Sequence, residues 1–234
     1  MLVEKWPRRS VKLSTVAIFA AINIVLVAIP GIWRSWVMII EPIEGILLGP
    51  YLAFITALIG GIGGHIIRFE HVFMFVFMLG EPIGAMTAGF LFYRRWKIVF
   101  ILYTVMLIAY FLTPISWKLP IWGLWDIYVA YILIYPTSVL ISKYQRSILN
   151  GEINRKTILT LILVSFIALE IDVLTRVFIL IPLQFYILLG LTEHVLYVLW
   201  ILGAFETPVE NLIGAFVSPT ILLPVIKFLS EERA

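Results

Sequence analysis

The chain has 234 residues, of which 62% are hydrophobic and 13% are charged, and its formal net charge is +3 at pH 7. A soluble domain has roughly half apolar and about a quarter charged residues, so this composition excludes an ordinary soluble protein. The sequence contains no cysteine, which excludes a disulfide, a thiolate metal site and a cysteine nucleophile. It also lacks a phosphate-binding loop of the GxxxxGK type, so any nucleotide hydrolysis would have to come from partner proteins.

The distribution of apolar and basic segments predicts an all-α, polytopic transmembrane helix bundle. An uncharged apolar segment over residues 13–29 follows a basic N-terminus, and basic clusters recur at residues 94–97 and 143–156. Lys and Arg in short loops favour the cytoplasmic side, and a tracing that puts all three clusters inside gives about eight crossings with both termini cytoplasmic. We therefore expect one multi-pass domain over residues 1–234 in the cell membrane.

Two short apolar half-spans meet between residues 41 and 64. They are joined by Gly49-Pro50. Helices end readily before proline and glycine allows a tight reversal, so this pair predicts a helix-to-helix turn at one membrane surface. The second half-span ends in glycines at positions 60, 61, 63 and 64. Small residues let helices pack closely in lipid, so we expect another helix to lie against this stretch.

Carboxylates next to proline recur at three predicted helix starts on the outer side of the membrane. They are Glu41-Pro42 with Glu44, Glu81-Pro82, and Glu206-Thr207-Pro208 with Glu210. Negative charge is favourable at a helix N-terminus, so helix capping explains these residues as well as a binding site does. Glu210 and Asn211 lie one to two turns inside a last helix that we expect to begin at Phe205. That is too deep for a cap, and they form the best single site candidate.

Three ionisable residues interrupt the apolar segment over residues 157–181. Asp172 and Arg176 are spaced i, i+4 and either neutralise each other on one helix face or place Arg176 at a polar cavity, since charges in a bilayer normally pair or line water. Glu170 falls on another face and has no evident partner. The stretch over residues 184–204 predicts an outer helix or a re-entrant piece.

A polar turn near residue 65 combines His65, Arg68, Glu70 and His71. Such a group can bind a metal, but spacing alone is weak evidence for coordination, and solvated loop residues fit the pattern as well. We expect neither a metal nor a cofactor.

Several segments resemble the substrate-binding S components of energy-coupling factor (ECF) vitamin transporters. They are AIFAA at residues 17–21, with Ala17 and Ala21 in an Ala-x-x-x-Ala pattern, ILLGPYLAFITALIGGIGG at 46–64, GAMTAGFLFYRR at 84–95 and LIGAFVSPTILLPVIKFL at 212–229. In order, they are similar to the first, the second and third, the fourth and the closing helices of the family. The family usually has six crossings. Residues 98–142 are therefore expected to form an extra hairpin between an N-terminal four-helix part (1–97) and C-terminal helices (157–234).

The resemblance implies a transport subunit and not an enzyme. Such a subunit captures a vitamin or related small molecule outside and releases it inside through a transmembrane coupling subunit and two ATPase subunits, without binding nucleic acid. Ala17 and Ala21 would then dock on the coupling subunit, as small residues do between membrane helices. The first outer loop works as a lid in this family, so Trp33 and Trp36 are either lid residues or the interfacial anchors that tryptophan often supplies.

The candidate substrate site combines outer carboxylates with aromatic and arginine side chains. Its predicted residues are Glu210, Asn211, Glu44, Glu81, Arg176, Trp33 and Trp36, and no catalytic residue is assigned. Carboxylates outnumber arginines at this face, which favours a cation, and aromatic faces attract cationic rings by roughly 0.5–2 kcal/mol. We expect a cationic heteroaromatic such as thiamine or its aminopyrimidine precursor, with riboflavin-like neutral rings next. The alternative is an intramembrane enzyme that uses buried carboxylates for acid–base chemistry.

Overall fold

The computed structural model describes residues 9–31, 34–69 and 71–231. Regular secondary structure in that part of the chain is helical, and the protein is an all-α bundle as the sequence predicts. The α-helices are α1 (Arg9–Val27), α2 (Glu41–Leu48), α3 (Pro50–Ile67), α4 (Met74–Phe77), α5 (Gly80–Phe92), α6 (Trp96–Leu112), α7 (Trp125–Leu149), α8 (Arg155–Leu180), α9 (Phe185–Leu188) and α10 (Glu193–Glu231). Short 3-10 helices lie at Trp36–Ile39, Pro114–Lys118 and Ile121–Leu124.

Five helical segments of the described chain are long and apolar enough to cross a membrane. They are Pro50–Ile67, Met74–Phe92, Ile121–Leu149, Arg155–Leu180 and Glu193–Glu231. The apolar stretches Lys12–Val27 and Trp96–Leu112 are shorter. Helix α2 has 8 residues and so rises about 12 Å, less than half of a hydrocarbon core of about 30 Å. It therefore enters the bundle as a half-helix.

The last helix is continuous from Glu193 to Glu231, over 39 residues. The prediction that a separate piece ends at residue 204 and that the last helix begins at residue 205 is therefore wrong. Proline normally breaks a helix because it lacks the N–H that would bond the carbonyl four residues earlier. For Pro208 that carbonyl belongs to Ala204, and it accepts a hydrogen bond from Trp125 Nε1 at 2.9 Å. The indole satisfies the freed carbonyl and lets α10 continue.

The predicted turn and the predicted glycine contact are both present. Gly49, with φ of 82°, separates α2 from α3 in a conformation that side chains other than glycine rarely adopt. The glycine-rich face of α3 packs against α1. A Cβ at Gly63 would lie 2.7 Å from Ile24 Cγ1, and a Cβ at Gly64 would lie 2.5 Å from Val27 Cγ1. Larger residues at these positions would push the two helices apart.

Helix α8 lies at the centre of the bundle, against α5, α7 and α10. The main hydrophobic core draws fully buried residues from α6, α7 and α8, among them Tyr103, Ile134 and Ile167. The Tyr103 hydroxyl donates to the carbonyl oxygen of Ile167 at 2.7 Å. The hairpin of α6 and α7 thus shares one core with the C-terminal helices.

Basic side chains gather at one end of the bundle, which we call the basic end. Arg94 donates to the carbonyl oxygen of Ser142 at 2.9 Å, and the ammonium groups of Lys143 and Lys156 lie 5.6 and 5.9 Å from the Tyr144 ring centroid. At the opposite end α1, α3 and α8 finish and α2, α5 and α7 begin. We call this the cluster end because buried charges meet there.

Candidate functional site

Arg34, in the loop between α1 and α2, is the centre of a buried cluster of charged side chains. Its side chain is 3% exposed. Its Nη1 donates to the carboxylate of Asp172 on α8, and its Nη2 donates to the side-chain oxygen of Asn211 on α10. Glu210 also lies on α10, and its Oε2 is 3.8 Å from Arg34 Nε. One loop residue therefore joins the first loop to two central helices.

The surrounding carboxylates keep Arg34 in its cationic form. Desolvation by itself lowers the pKa of this guanidinium, but the charges of Asp172, Glu41 and Glu210 raise it, and the resulting pKa lies above its ordinary value. A buried charge without such partners costs several kcal/mol. The acidic side chains are what make an arginine at this position tolerable.

Arg176 binds the other oxygen of Asp172 and links it to α5. Its Nε donates to Asp172 Oδ1 at 2.8 Å, and its Nη2 lies 3.3 Å from Glu81 Oε1. The i, i+4 pair that the sequence predicts is therefore present. The Arg176 side chain is also 20% exposed and lines two cavities, so both alternatives considered for this residue hold together.

The larger cavity lies at the cluster end, between α7, α8 and α10, and has a volume of about 260 Å³. Most of its wall is apolar. Trp200 gives it a broad aromatic surface and stacks on Tyr110 with the ring centroids 5.5 Å apart. Charged groups reach the wall at Arg34, Arg176 and Asp126. A mostly apolar cavity with a few convergent polar groups is the usual form of a small-molecule site.

Asp126, at the start of α7, is held in position by two donors. The backbone N–H of Ile127 donates to its Oδ1 at 2.9 Å, and the Thr207 hydroxyl donates to its Oδ2 at 3.3 Å. Asp126 and Thr207 both line the larger cavity. The cavity therefore offers a fixed carboxylate in addition to the two arginines.

A smaller cavity of about 130 Å³ lies on the side of the arginine pair that faces α1 and α3. Its wall is more polar and includes Arg34, Arg176 and Glu81 together with His65 and Arg68. Because Arg34 and Arg176 line both cavities, their side chains form the partition between them. A molecule in either cavity would contact the charged cluster.

Four of the predicted site residues meet at this cluster. Asn211 and Glu210 contact Arg34, while Arg176 contacts Glu81. They come from α5, α8 and α10, which are far apart in the chain. The structure therefore brings together the part of the predicted site that α5, α8 and α10 supply.

The other predicted site residues have different surroundings. Glu44 lines neither cavity, and its Oε1 accepts a hydrogen bond from Asn23 Nδ2 of α1 at 2.7 Å. Trp36 is partly buried against a small apolar cluster that includes Met38 and Leu169, and it also lines neither cavity. Trp33 lies outside the described residues. The hypothesis that these three side chains contact a ligand stays a prediction, and for Glu44 and Trp36 the geometry gives it no support.

Ala17 and Ala21, the predicted docking residues, are exposed on α1. They lie at the edge of the face of α1 that packs on α3 through Ile24, next to exposed Ile18 and Val25. Two small, exposed side chains leave room for the close approach of another helix.

Two buried carboxylates at the centre of the molecule make no hydrogen bond of ordinary geometry with the described residues. The Glu41 side chain is near Arg34 and Asp172, yet both of its oxygens lack a hydrogen-bond partner. Glu170 lies near Asp126 and Asn211, but its oxygens form no hydrogen bond of ordinary geometry with them. Both side chains are almost completely buried. Their carboxylate oxygens could each accept hydrogen bonds that the folded chain does not supply.

The polar turn around residue 65 does not gather metal ligands in the described part of the chain. No group of three or more His, Asp or Glu side chains there is placed to hold a metal ion. Glu70, the fourth residue of that turn, lies outside the described residues. His65 and Arg68 instead line the smaller cavity.

Sequence reasoning did not select Arg34, Asp126 or Trp200 as site residues. Arg34 is a single charge in an apolar loop, and nothing near it in sequence identifies Asp172 as its partner. Asp126 opens a helix and resembles an ordinary cap. Trp200 falls in the stretch that the sequence tracing separated from the last helix, whereas it lies within the continuous α10.

Comparison of the chain with protein-family models, with curated protein sequences and with solved structures finds no match. The geometry of the cluster and its cavities is therefore the basis for assigning a function.

Proposed function

We propose that this chain is the substrate-binding subunit of an ECF-type importer in the cell membrane, a transport subunit without its own ATPase. The observation that carries the proposal is the cavity of about 260 Å³ at one end of the bundle, whose apolar wall meets the buried charges of Arg34, Arg176 and Asp126. A pocket of that size, with few convergent polar groups, suits capture of one small organic molecule. The motif resemblance described above supports the same function.

The proposed topology has about eight crossings, counting the half-helix α2, with both termini in the cytoplasm. Lys and Arg favour the cytoplasmic side, so the basic end would lie inside and the cluster end outside. The cavities would then open to the compartment from which an importer takes its substrate. The hairpin of α6 and α7 would be the addition to the six-crossing arrangement that is usual in the family.

The proposed partners are a transmembrane coupling subunit and two ATPase subunits. The support is the exposed position of Ala17 and Ala21 on α1. Changing both alanines to tryptophan should abolish co-purification with the coupling subunit because bulk prevents close helix packing. Ligand binding should be unchanged, since neither residue lines a cavity.

The control for the docking test adds the same bulk elsewhere on the lipid-facing surface. Val105 on α6 and Val129 on α7 are 55% and 40% exposed. The Val105→Trp/Val129→Trp protein should assemble normally. Normal assembly of the alanine double variant, or equal loss in both proteins, would contradict docking through α1.

The proposed ligand is a cationic heteroaromatic such as thiamine or its aminopyrimidine precursor. In the cluster, the carboxylates of Glu41, Glu81, Asp172 and Glu210 surround the two guanidinium groups of Arg34 and Arg176. Acceptor oxygens thus outnumber the two guanidinium groups, which suits a further cation that donates hydrogen bonds, and the Trp200 surface suits a flat ring.

Gly203 gives a direct test of the larger cavity. It lines the cavity, and a Cβ at this position would meet nothing within 4 Å, so Gly203→Trp fills the space without a backbone clash. Calorimetry with thiamine, riboflavin and biotin should show that this variant loses ligand binding. The neighbouring Leu202 is 44% exposed and lines neither cavity, so Leu202→Trp should bind normally.

Mass spectrometry of small molecules that co-purify with the protein would identify the ligand itself. A substrate subunit returns the molecule unchanged, whereas an intramembrane enzyme would convert it during incubation. Tight binding of biotin and none of thiamine would overturn the cationic preference and leave the transport proposal standing. Conversion of the bound molecule to a product would overturn the transport proposal.

A further inference from the structure

We propose that Asp172, Glu210 and Asn211 form a subsite for a planar nitrogen cation of the guanidinium or amidinium class, and that Arg34 occupies this subsite in place of a ligand. The inference rests on the proposed function and deepens it, because it names the chemical group by which the substrate is recognised. The Arg34 guanidinium would compete with the substrate's cationic group for these acceptors.

The acceptors of the subsite match the edge of a planar cation. The Asp172 carboxylate and the Asn211 side-chain oxygen accept from the two terminal nitrogens of Arg34, and Glu210 lies 3.8 Å from its Nε. Two of the three guanidinium nitrogens therefore have a hydrogen-bond acceptor, and a carboxylate lies near the third, which makes no hydrogen bond of its own. An ammonium ion is a compact charge and cannot reproduce that pattern with one nitrogen. The geometry selects for shape as well as charge.

The acceptors belong to the central helices, whereas their occupant comes from a loop. Asp172 and Asn211 are separated from Arg34 by 138 and 177 residues and lie in the interiors of α8 and α10. Functional groups on helices hold their positions better than groups on loops. The subsite therefore persists when the Arg34 side chain leaves it.

The charge of the cluster would still require a cation after Arg34 leaves. Among the described residues of the cluster, Arg176 would then be the remaining cation beside Asp172 and Glu210, and Glu81 and Glu41 lie close by. Glu41 is 2% exposed, and its two oxygens have no hydrogen-bond partner among the described residues. A Cβ on Gly84 would lie 2.5 Å from Glu41 Oε2 and 3.4 Å from Asp172 Cβ. An unused buried carboxylate thus lies beside the main acceptor.

The two cavities provide access for a ligand and room for Arg34. Arg34 lines the larger, apolar cavity, where the body of a flat ligand would lie, and also the smaller cavity of about 130 Å³. A rotamer change that moves the guanidinium into the smaller cavity would expose Asp172 to the larger one. Glu81 lines that smaller cavity as well, so the displaced guanidinium would exchange Asp172 and Asn211 for that one carboxylate, and competition with the ligand is expected.

Benzamidine is a suitable probe because it joins a flat aromatic body to an amidinium. Calorimetry should show that Arg34→Ala binds benzamidine at least tenfold more tightly than the unmodified protein does. Benzamide, the neutral analogue, and benzylamine, whose cation is an ammonium, should show no such gain. The gain should disappear in Arg34→Ala/Asp172→Asn, which lacks the main acceptor.

Thermal unfolding in detergent gives a second measurement on the same proteins. Methylguanidinium at millimolar concentration should raise the unfolding midpoint of Arg34→Ala, and methylammonium chloride at equal ionic strength should not. If Arg34→Ala is not recovered as folded protein, Arg34→Gln, which keeps most of the side-chain length, takes its place in both measurements. Equal benzamidine affinity in the variant and the unmodified protein, or equal stabilisation by both cations, would overturn the subsite.

The proposed subsite and the proposed transport function can be refuted by different experiments. Assembly through Ala17 and Ala21 and ligand loss in Gly203→Trp do not depend on what occupies the acceptors of Arg34. Failure of both benzamidine and methylguanidinium, with those two tests intact, would leave a binding subunit in which Arg34 only joins the first loop to α8 and α10.

Discussion

Asp172 and Glu170 are two residues apart on α8 and have opposite surroundings. Asp172 binds both arginines of the cluster, whereas Glu170 makes no hydrogen bond of ordinary geometry and no described cation contacts it. Both side chains are fully buried. Because successive helical residues are about 100° apart, two positions along the helix turn a side chain to nearly the opposite face. One helix therefore presents an ion-pair network on one face and an acid without an ion pair on the other.

The comparison teaches that burial alone does not identify the carboxylates on which the fold depends. An ionised group with good partners becomes costly to change because its partners remain buried when it is removed. A buried acid that pairs with no cation leaves no charge unpaired when it is neutralised. The energetic importance of the two residues should differ even though their exposure does not.

The largest expected effect is the difference between Asp172→Asn and Glu170→Gln. Asp172→Asn leaves the buried Arg34 and the partly buried Arg176 without the carboxylate that they share and should destabilise the protein by about 3–5 kcal/mol. Glu170→Gln removes no ion pair and should change stability by less than about 1 kcal/mol. Thermal unfolding of both variants in the same detergent measures the difference, and similar losses in the two proteins would refute the comparison.

A smaller effect is expected when a neighbouring helix is pushed away from Asp172. Helix α5 begins at Gly80, where a Cβ would overlap Asp172 Oδ1 and lie 2.8 Å from the Asp172 carbonyl oxygen. Gly80→Ala should therefore cost about 1–3 kcal/mol through overpacking, despite the better helix propensity of alanine. Gly203→Ala, where a Cβ meets nothing within 4 Å, is the matched control and should lose no stability in the same unfolding experiment.

The smallest effect is expected at Glu44, whose carboxylate is paired with an amide and not with a cation. Glu44→Gln keeps an oxygen that accepts from Asn23 Nδ2, so the loss should stay below about 1 kcal/mol. Asn23→Leu removes the donor and leaves the carboxylate buried without that bond, which should cost about 1–3 kcal/mol. A larger loss in Glu44→Gln than in Asn23→Leu would show that the charge of Glu44, and not its hydrogen bond, stabilises α2 against α1.

The sequence by itself determined the features that depend on short stretches of chain. Composition identified an all-α protein with membrane-spanning helices, Gly49-Pro50 identified the turn between α2 and α3, and the glycines after residue 59 identified a close helix contact. The pair of Asp172 and Arg176 was also predictable. In each case the physical cause lies within a few residues: helix periodicity, the conformation of glycine, or the missing N–H of proline.

Only the tertiary structure decided which distant groups meet. The partners of Arg34 lie 138 and 177 residues away, and the direction in which α8 and α10 turn their faces depends on how all the helices pack. The same packing directs Glu44 towards Asn23 and Trp36 away from the cavities. It also lets Trp125 bond the carbonyl that Pro208 leaves free, so that α10 continues where the local sequence favours a break. A hydrogen bond or ion pair between distant residues has no local cause, because it forms only after the helices have packed.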